Sequence, residues 1–234
     1  MTSPGVDLSV VLPAIDEAQS LRLLLPALKE QLDPLAVSYE LLVVDGGSRD
    51  GTAAVAAGHG AQVFGQREPG LGGAYAAAFA RARGAFVLTM DADGSHGPAE
   101  VPRLWRRRGE ADLVIASRFV TGGAADMPCL RYWASRLLNG ITRLGLGLPA
   151  RDASSGFRLY RREAVVGLPI ETRDFSVQQE LLARVAARGG RCLEIPFHYL
   201  PRTGGRSKAS FVAFAASYLR MFALVRRLRR QNGK

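Results

Sequence analysis

The chain has 234 residues, 47% of them hydrophobic, and its 31 Lys and Arg against 21 Asp and Glu give a formal net charge of +10. This length and apolar content fit one domain with an ordinary core, and no apolar run approaches the ~20 residues of a bilayer span. Only Lys29, Lys208 and Lys234 are lysines, so the positive charge is nearly all arginine, which directs attention to phosphorylated ligands, an anionic membrane surface or nucleic acid. Cys129 and Cys192 lie far apart without metal-ligand spacing, and Met1–Asp7 has no basic region followed by an apolar stretch. A soluble or surface-bound cytoplasmic protein is the expectation.

Leu8–Leu12 reads as a first strand stopped by Pro13, followed by a helix over Ala18–Gln31 with Leu21, Leu24, Leu25, Leu28 and Leu32 along one face. Tyr39–Val44 is a second strand, closed by the turn Asp45-Gly46-Gly47-Ser48. A short Ala-rich helix over Thr52–His59 and a third strand over Ala61–Phe64 come next. Helix Ala74–Arg83, strand Ala85–Met90, helix Pro98–Arg108 and strand Asp112–Ala116 continue the alternation. The second half is less regular: helix Leu130–Leu144, strand Gly156–Tyr160, helix Val177–Arg188 and strand Arg191–Ile195 ended by Pro196. Continuous apolar strands alternating with helices predict an α/β fold, a doubly wound, mostly parallel sheet covered on both faces. Ligands of such sheets bind at the carboxyl ends of the strands, where Asp45 and Asp91 both sit.

Asp91-Ala92-Asp93 is the most informative of these strand ends. Two carboxylates one residue apart, without a His or Cys cluster, suit Mg²⁺ or Mn²⁺, ions that keep positions open for substrate phosphates. A solvated turn is the plainer reading of an isolated Asp-x-Asp.

The surrounding motifs decide between the two. Val11-Leu12-Pro13-Ala14-Ile15-Asp16-Glu17, Val43-Val44-Asp45-Gly46-Gly47-Ser48-Arg49-Asp50-Gly51-Thr52 and Met90-Asp91-Ala92-Asp93-Gly94-Ser95-His96 occur in order, with Gly70–Tyr75, Ser117-Arg118-Phe119, Ser155–Tyr160 and Gly205-Arg206-Ser207-Lys208 extending the pattern. Over about residues 8–210 the chain resembles the inverting family 2 glycosyltransferases of the GT-A fold, and among them the polyprenol (dolichol) phosphate mannose synthases. The resemblance implies transfer of mannose from GDP-mannose to a polyprenyl phosphate. It places Pro13, Ile15, Glu17, Val44, Asp45, Asp91, Ala92 and Asp93 beside the nucleotide sugar and Arg202 and Lys208 on its diphosphate. Metal ligands would be Asp91, Asp93 and Ser95, and Asp91, Asp93 and Arg118 would carry catalysis. Arg118, Arg131, Ser135 and Arg136 would meet the acceptor phosphate, a role suited to the forked guanidinium.

Two departures stand out. Relatives usually carry a second acid where this chain has Gly46, and Tyr and Asn where it has Ile15 and Asp16; the choice between a GDP and a UDP donor stays open. Gly70-x-Gly72-Gly73 lacks the strand and the distal acid of a dinucleotide fingerprint and reads as a close-approach turn beside the sugar nucleotide.

An ionised lipid phosphate needs no general base, whereas a saccharide hydroxyl would, and Asp152, Asp174 and Glu180 are the only acids placed to supply one. His59, His96 and His198 are read as structural, and Gln178 and Glu180 as sugar-side or loop-supporting contacts. From Ser210 the chain carries Phe211, Phe214, Tyr218, Met221, Phe222 and Val225 on one helical face, with Arg220, Arg226, Arg227, Arg229, Arg230 and Lys234 elsewhere. A glycosyltransferase domain over 1–208 and a basic amphipathic helix over 209–234 are therefore expected. That helix would either hold the protein at the inner, anionic face of a membrane or pack on the domain. A separate membrane-protein partner belongs to the same expectation. Nucleic acid is not an expected partner, because the arginines fall in glycosyltransferase positions.

Overall fold

A computed structural model describes residues 5–202, 221–228 and 230. In chain order the elements are β1 (Leu8–Ala14), α1 (Ala18–Leu32), β2 (Tyr39–Asp45), α2 (Thr52–Gly58), β3 (Gln62–Gly65), α3 (Gly70–Phe79), β4 (Phe86–Thr89), α4 (Val101–Arg106) and β5 (Leu113–Ser117). They continue with β6 (Ala124–Ala125), α5 (Cys129–Leu146), β7 (Arg158–Arg161), α6 (Arg162–Val165), α7 (Val177–Ala187), β8 (Cys192–Pro196) and β9 (His198–Tyr199). Seven strands form one sheet in the order β3-β2-β1-β4-β7-β5-β8, and β6 pairs with β9 in a small second sheet. All pairings are parallel except those of β7, which runs antiparallel to both β4 and β5.

Alternate residues of each strand enter opposite layers. Val10, Leu12, Leu88 and Val114 join Leu21, Leu25 and Leu28 of α1 and Leu104 of α4; Val11, Val87, Ile115 and Tyr160 join Tyr75 and Phe79 of α3 and Leu181 of α7. Residues 221–228 are helical, and Met221, Leu224 and Val225 are buried in the second layer with Leu146 and Leu148. This part of the expected amphipathic tail therefore spends its apolar side chains on the core. Phe211, Phe214, Tyr218 and Lys234 lie outside the described residues.

Several predicted boundaries are corrected. β1 runs through Pro13 to Ala14 instead of stopping before it. Even-numbered residues of β1 bond to β2, as the 2.9 Å contact from Gly46 N–H to the Ala14 carbonyl shows. The odd ones face β4, whose ladder closes where Met90 N–H donates to the Val11 carbonyl; the next bond would need the N–H that Pro13 lacks, so the proline sits where that ladder ends. The segment expected as helix Pro98–Arg108 opens with a short 3₁₀ turn before α4. Helix α3 starts at Gly70, four residues before its expected start.

That early start reinterprets the glycines. A Cβ on Gly72 would lie 1.8 Å from the Thr172 carbonyl oxygen, and one on Gly70, whose φ is +83°, 2.1 Å from that of Arg173. The first turn of α3 is thus pressed against the chain's own backbone. The opposing segment is fixed by the buried Glu180 of α7, which accepts from the N–H groups of Glu171 and Thr172 at 2.9 and 2.8 Å and pairs with Arg184 at 2.8 Å. Gly72→Ala is expected to cost at least about 2 kcal/mol as an overpacking substitution. Gly140→Ala, with open space around its site in α5, should be neutral or stabilising by up to ~1 kcal/mol. Urea unfolding of the two variants checks this; equal stabilities would remove the close-approach argument.

Candidate active site

The strand order reverses about β1, so the crevice between the ends of β1 and β4 is the expected ligand position of an open α/β sheet. On one side lie the loops after β1 and β2, laced together. Asp16 sits at φ 55°, a left-handed conformation that Asn and Asp tolerate best, and its carboxylate accepts Arg49 N–H at 2.8 Å. Its own N–H donates to Ser48 Oγ at 2.9 Å, and Ser48 N–H donates to Asp45 at 2.9 Å. Glu17 occupies the cap position of α1 without capping it; Ala18 N–H is instead satisfied by Asp50 at 2.9 Å, and Glu17 N–H by Thr52 Oγ1 at 2.9 Å. A Cβ on Gly46 would come within 2.3 Å of Ile15 Cγ1, so the two departures at positions 15 and 46 are one packing arrangement. Val44 and Ala92 are buried, leaving mainly their backbone to face a ligand.

On the other side is the turn after β4. The Asp91 N–H donates to Nδ1 of His96 at 2.9 Å. His96 is buried and stacked on Phe157 at 5.0 Å; burial lowers its pKa, against the opposing pull of Asp91 and Asp93. A neutral ring accepting from the backbone is the consistent state, so the 3.6 Å approach of its Nε2 to the Asp91 carboxylate is not an ion pair. Asp93 is buried, accepts Ser95 N–H at 3.0 Å and the Ser95 hydroxyl, and pairs with Arg202 Nε at 3.0 Å. Asp91 is the more exposed of the two carboxylates. Among the described residues no three His, Cys, Asp or Glu side chains converge on a metal position. Two carboxylates beside an arginine form an all-oxygen donor set that fits a hard divalent cation completing its shell with phosphate and water.

Arg118, at the end of β5, has a partner that the sequence did not assign to it. Its Nε and Nη2 donate to the two oxygens of Asp152 at 2.8 and 2.7 Å, and Nη2 also reaches Ser154 Oγ at 2.8 Å. Burial alone would raise the Asp152 pKa, but the Arg118 guanidinium outweighs it and holds the carboxyl below its usual range. The pair is braced from both sides. Glu194 of β8 accepts the N–H groups of Arg151 and Asp152 at 2.7 and 2.9 Å, while Asn139 of α5 bonds Ser154 Oγ and the Ser135 carbonyl, both at 2.9 Å. Ser135 is thereby tied to Arg118 through three hydrogen bonds, by way of Asn139 and Ser154. Arg131 and Arg136 are exposed on the same helix, and Arg136 Nη1 contacts Tyr132 Oη at 3.3 Å. Lys208 lies outside the described residues.

Beneath Asp91 the structure supplies contacts that no local sequence signal reveals. A Cβ on Gly156 would meet Gln178 Nε2 at 3.1 Å and Asp91 Oδ1 at 3.2 Å, so its absence opens space between them. Gln178 donates to the buried Tyr75 hydroxyl at 2.8 Å, and its own Oε1 is buried without a partner among the described residues. Glu180 is buried and supports the 171–172 backbone.

The profile of the family described as Glycosyl transferase family 2 matches residues 9–167. The chain is 36% identical over 213 residues to an undecaprenyl-phosphate mannosyltransferase of Micrococcus luteus, covering 86% of each chain. It is 33% identical over 221 residues to a polyprenol monophosphomannose synthase of Mycolicibacterium smegmatis, covering 86% of this chain and 80% of the relative. A solved structure of glucosyl-3-phosphoglycerate synthase from Mycobacterium tuberculosis, in complex with Mn²⁺ and UDP-glucose, superposes with a TM-score of 0.70 at 24% identity, covering 96% of this chain and 79% of that one. The sheet and its helices are those of the GT-A fold, and the chain is a glycosyltransferase belonging to family 2.

Proposed function

We propose that this glycosyltransferase moves mannose from GDP-mannose to a polyprenyl phosphate with inversion, at the inner face of a membrane. The observation that carries the acceptor class is the fate of the acids that a hydroxyl acceptor would need as a base. Asp152 is locked to Arg118, Glu180 is buried under the 171–172 backbone, and Asp174 accepts Ser176 N–H at 2.9 Å. A phosphate nucleophile is already ionised and requires positioning and counter-charge instead. The names of the two relatives agree with this acceptor class and with mannose.

In this reading an acceptor phosphate oxygen forms the bond to the anomeric carbon as that carbon's bond to the donor diphosphate breaks on the opposite face. The electron pair departs with the nucleoside diphosphate, and no proton needs to move. Mg²⁺ or Mn²⁺ held by Asp91 and Asp93, with Ser95 fixing the latter, would neutralise charge on the departing diphosphate. Arg202, now on Asp93, and Lys208 would turn to the diphosphate as it arrives. Arg131, Ser135 and Arg136 would take the acceptor phosphate, with Arg118 held in orientation by Asp152. Pro13, Ile15, Glu17, Val44, Asp45 and Ala92 would line the nucleotide. A separate membrane-protein partner and the limits 1–208 for the catalytic domain belong to this proposal.

Asp91→Asn is expected to lower transfer by roughly 10²-fold or more, the scale of losing one preorganised charge contact, without changing the thermal midpoint. Mn²⁺ should bind the wild-type chain more tightly when GDP is present, read by calorimetry. Transfer at full rate after EDTA treatment would sink the metal role. Because Gly46 withholds a carboxylate whose charge-assisted hydrogen bond would contribute ~1.5–3 kcal/mol, GDP and UDP should differ in affinity by less than about a thousandfold. Calorimetric titration with both nucleotides checks this, and a steeper preference would assign base reading to other residues. Arg131→Ala should impair a long-chain acceptor and a short water-soluble polyprenyl phosphate alike, since both share the phosphate.

A further inference from the structure

The buried His96 ring lies on Phe157 at 5.0 Å and is met edge-on by Phe197 at 5.7 Å and Tyr199 at 6.2 Å. A phenylalanine would fill this place and stack equally well. What an imidazole adds is two ring nitrogens, and both address the same residue. Nδ1 accepts the Asp91 N–H at 2.9 Å, while Nε2 stands 3.6 Å from Oδ2 of the Asp91 carboxylate. A nitrogen that accepts from a backbone N–H must keep its lone pair, so the single proton of the neutral ring lies on Nε2, on the edge that faces the carboxylate.

The second contact is longer than an ordinary hydrogen bond of about 3 Å. Room to close it is built in. A Cβ on Gly156 would lie 3.2 Å from Asp91 Oδ1 and 3.6 Å from His96 Cε1; with none there, the carboxylate is free to turn about its last single bond toward Nε2. That bond has only a broad, two-fold preference of its own, so Asp91 by itself selects no orientation. We propose that His96 is a positioning residue for Asp91: Nδ1 fixes the backbone of the turn after β4, Nε2–H holds Oδ2, and the carboxylate is thereby set in one orientation before a cation arrives. Its consequence for metal binding rests on the reading of Asp91 as a metal ligand, whereas the two-point hold itself requires no metal.

The test uses the full chain. With isotope-labelled histidine and no metal present, ring-nitrogen spectra should show a proton on Nε2 of His96 and none on Nδ1, the signals being identified by their loss in His96→Asn. That proton should exchange faster with water once Asp91→Ala removes its acceptor. Two near-isosteric variants then separate the nitrogens. The carboxamide oxygen of His96→Asn stands where Nδ1 accepts, but the Nε2 donor is gone. Its Mn²⁺ affinity in the presence of GDP should fall roughly tenfold or more, the scale of losing a contact to a metal ligand. His96→Gln places an amide N–H near the Nε2 position and leaves the Asp91 N–H unpaired. It should lower the thermal midpoint further than His96→Asn yet keep Mn²⁺ affinity close to that of wild type, read by calorimetry below each midpoint. A proton on Nδ1, or Mn²⁺ affinity that follows the thermal midpoint across the two variants, would overturn the proposal, since His96 would then only fill space and cap the turn. Wild-type protein with the Nε2–H contact but no GDP-dependent Mn²⁺ binding would instead reject the metal reading and leave the hold on Asp91 standing.

Discussion

Two opposite charges withdrawn from water at the end of β5 hold together the part of the molecule formed by β5, the 151–155 loop, β8 and α5. Arg118 and Asp152 meet through a two-pronged contact, and Glu194 and Asn139 clamp the loop that carries the aspartate. Such a pair is weak evidence for net stability, because desolvation offsets most of the attraction, yet removing one partner strands the other. Its value here is geometric: β5, the 151–155 loop, β8 and α5 are brought to one fixed arrangement. The Asp152 carboxyl is held below its usual range, so its stabilising contribution is present above the unfolded carboxylate pKa and is lost only as the pH falls through the depressed value. Near neutrality the scaffold is insensitive to protonation.

The loops after β1 and β2, on the other side, are organised by bonds from side chains to backbone N–H groups. Asp16 and Asp50 reach between the loops after β1 and β2 and satisfy backbone N–H groups that would otherwise lack partners. Pro13 lacks the N–H that would extend the ladder between β1 and β4, and that ladder ends beside it, just before Asp91. Ile15 packs where a larger residue 46 would project, so this wall of the crevice is more apolar than a second carboxylate would make it.

Two stretches with apolar helical faces meet different environments. Residues 221–228 bury Met221, Leu224 and Val225, with Phe222 near Gly145, whereas α5 presents Leu130, Leu137, Leu144 and Trp133 outward and turns Asn139 toward the protein. A 3.6-residue period shows that one side of a helix is apolar; it contains no information about what covers that side. The hydrogen bonds of Asn139 with Ser154 decide the question for α5, because a buried amide must be paired.

Local properties were legible in the sequence. Apolar runs marked the strands of the main sheet, since a strand covered on both faces must be apolar throughout, and the carboxylates of Asp91 and Asp93 at a strand end marked the candidate site. The resemblance to family 2 followed from motifs in order along the chain. Only the tertiary structure decided that β7 runs antiparallel between β4 and β5, that Gly72 admits the Thr172 backbone, and that Arg118 is bound by a residue 34 positions away. These are pairings between distant segments, and their energies depend on which surfaces exclude water together. Sequence periodicity records how each segment is buried, whereas the partner across the interface is fixed only when the whole chain has closed.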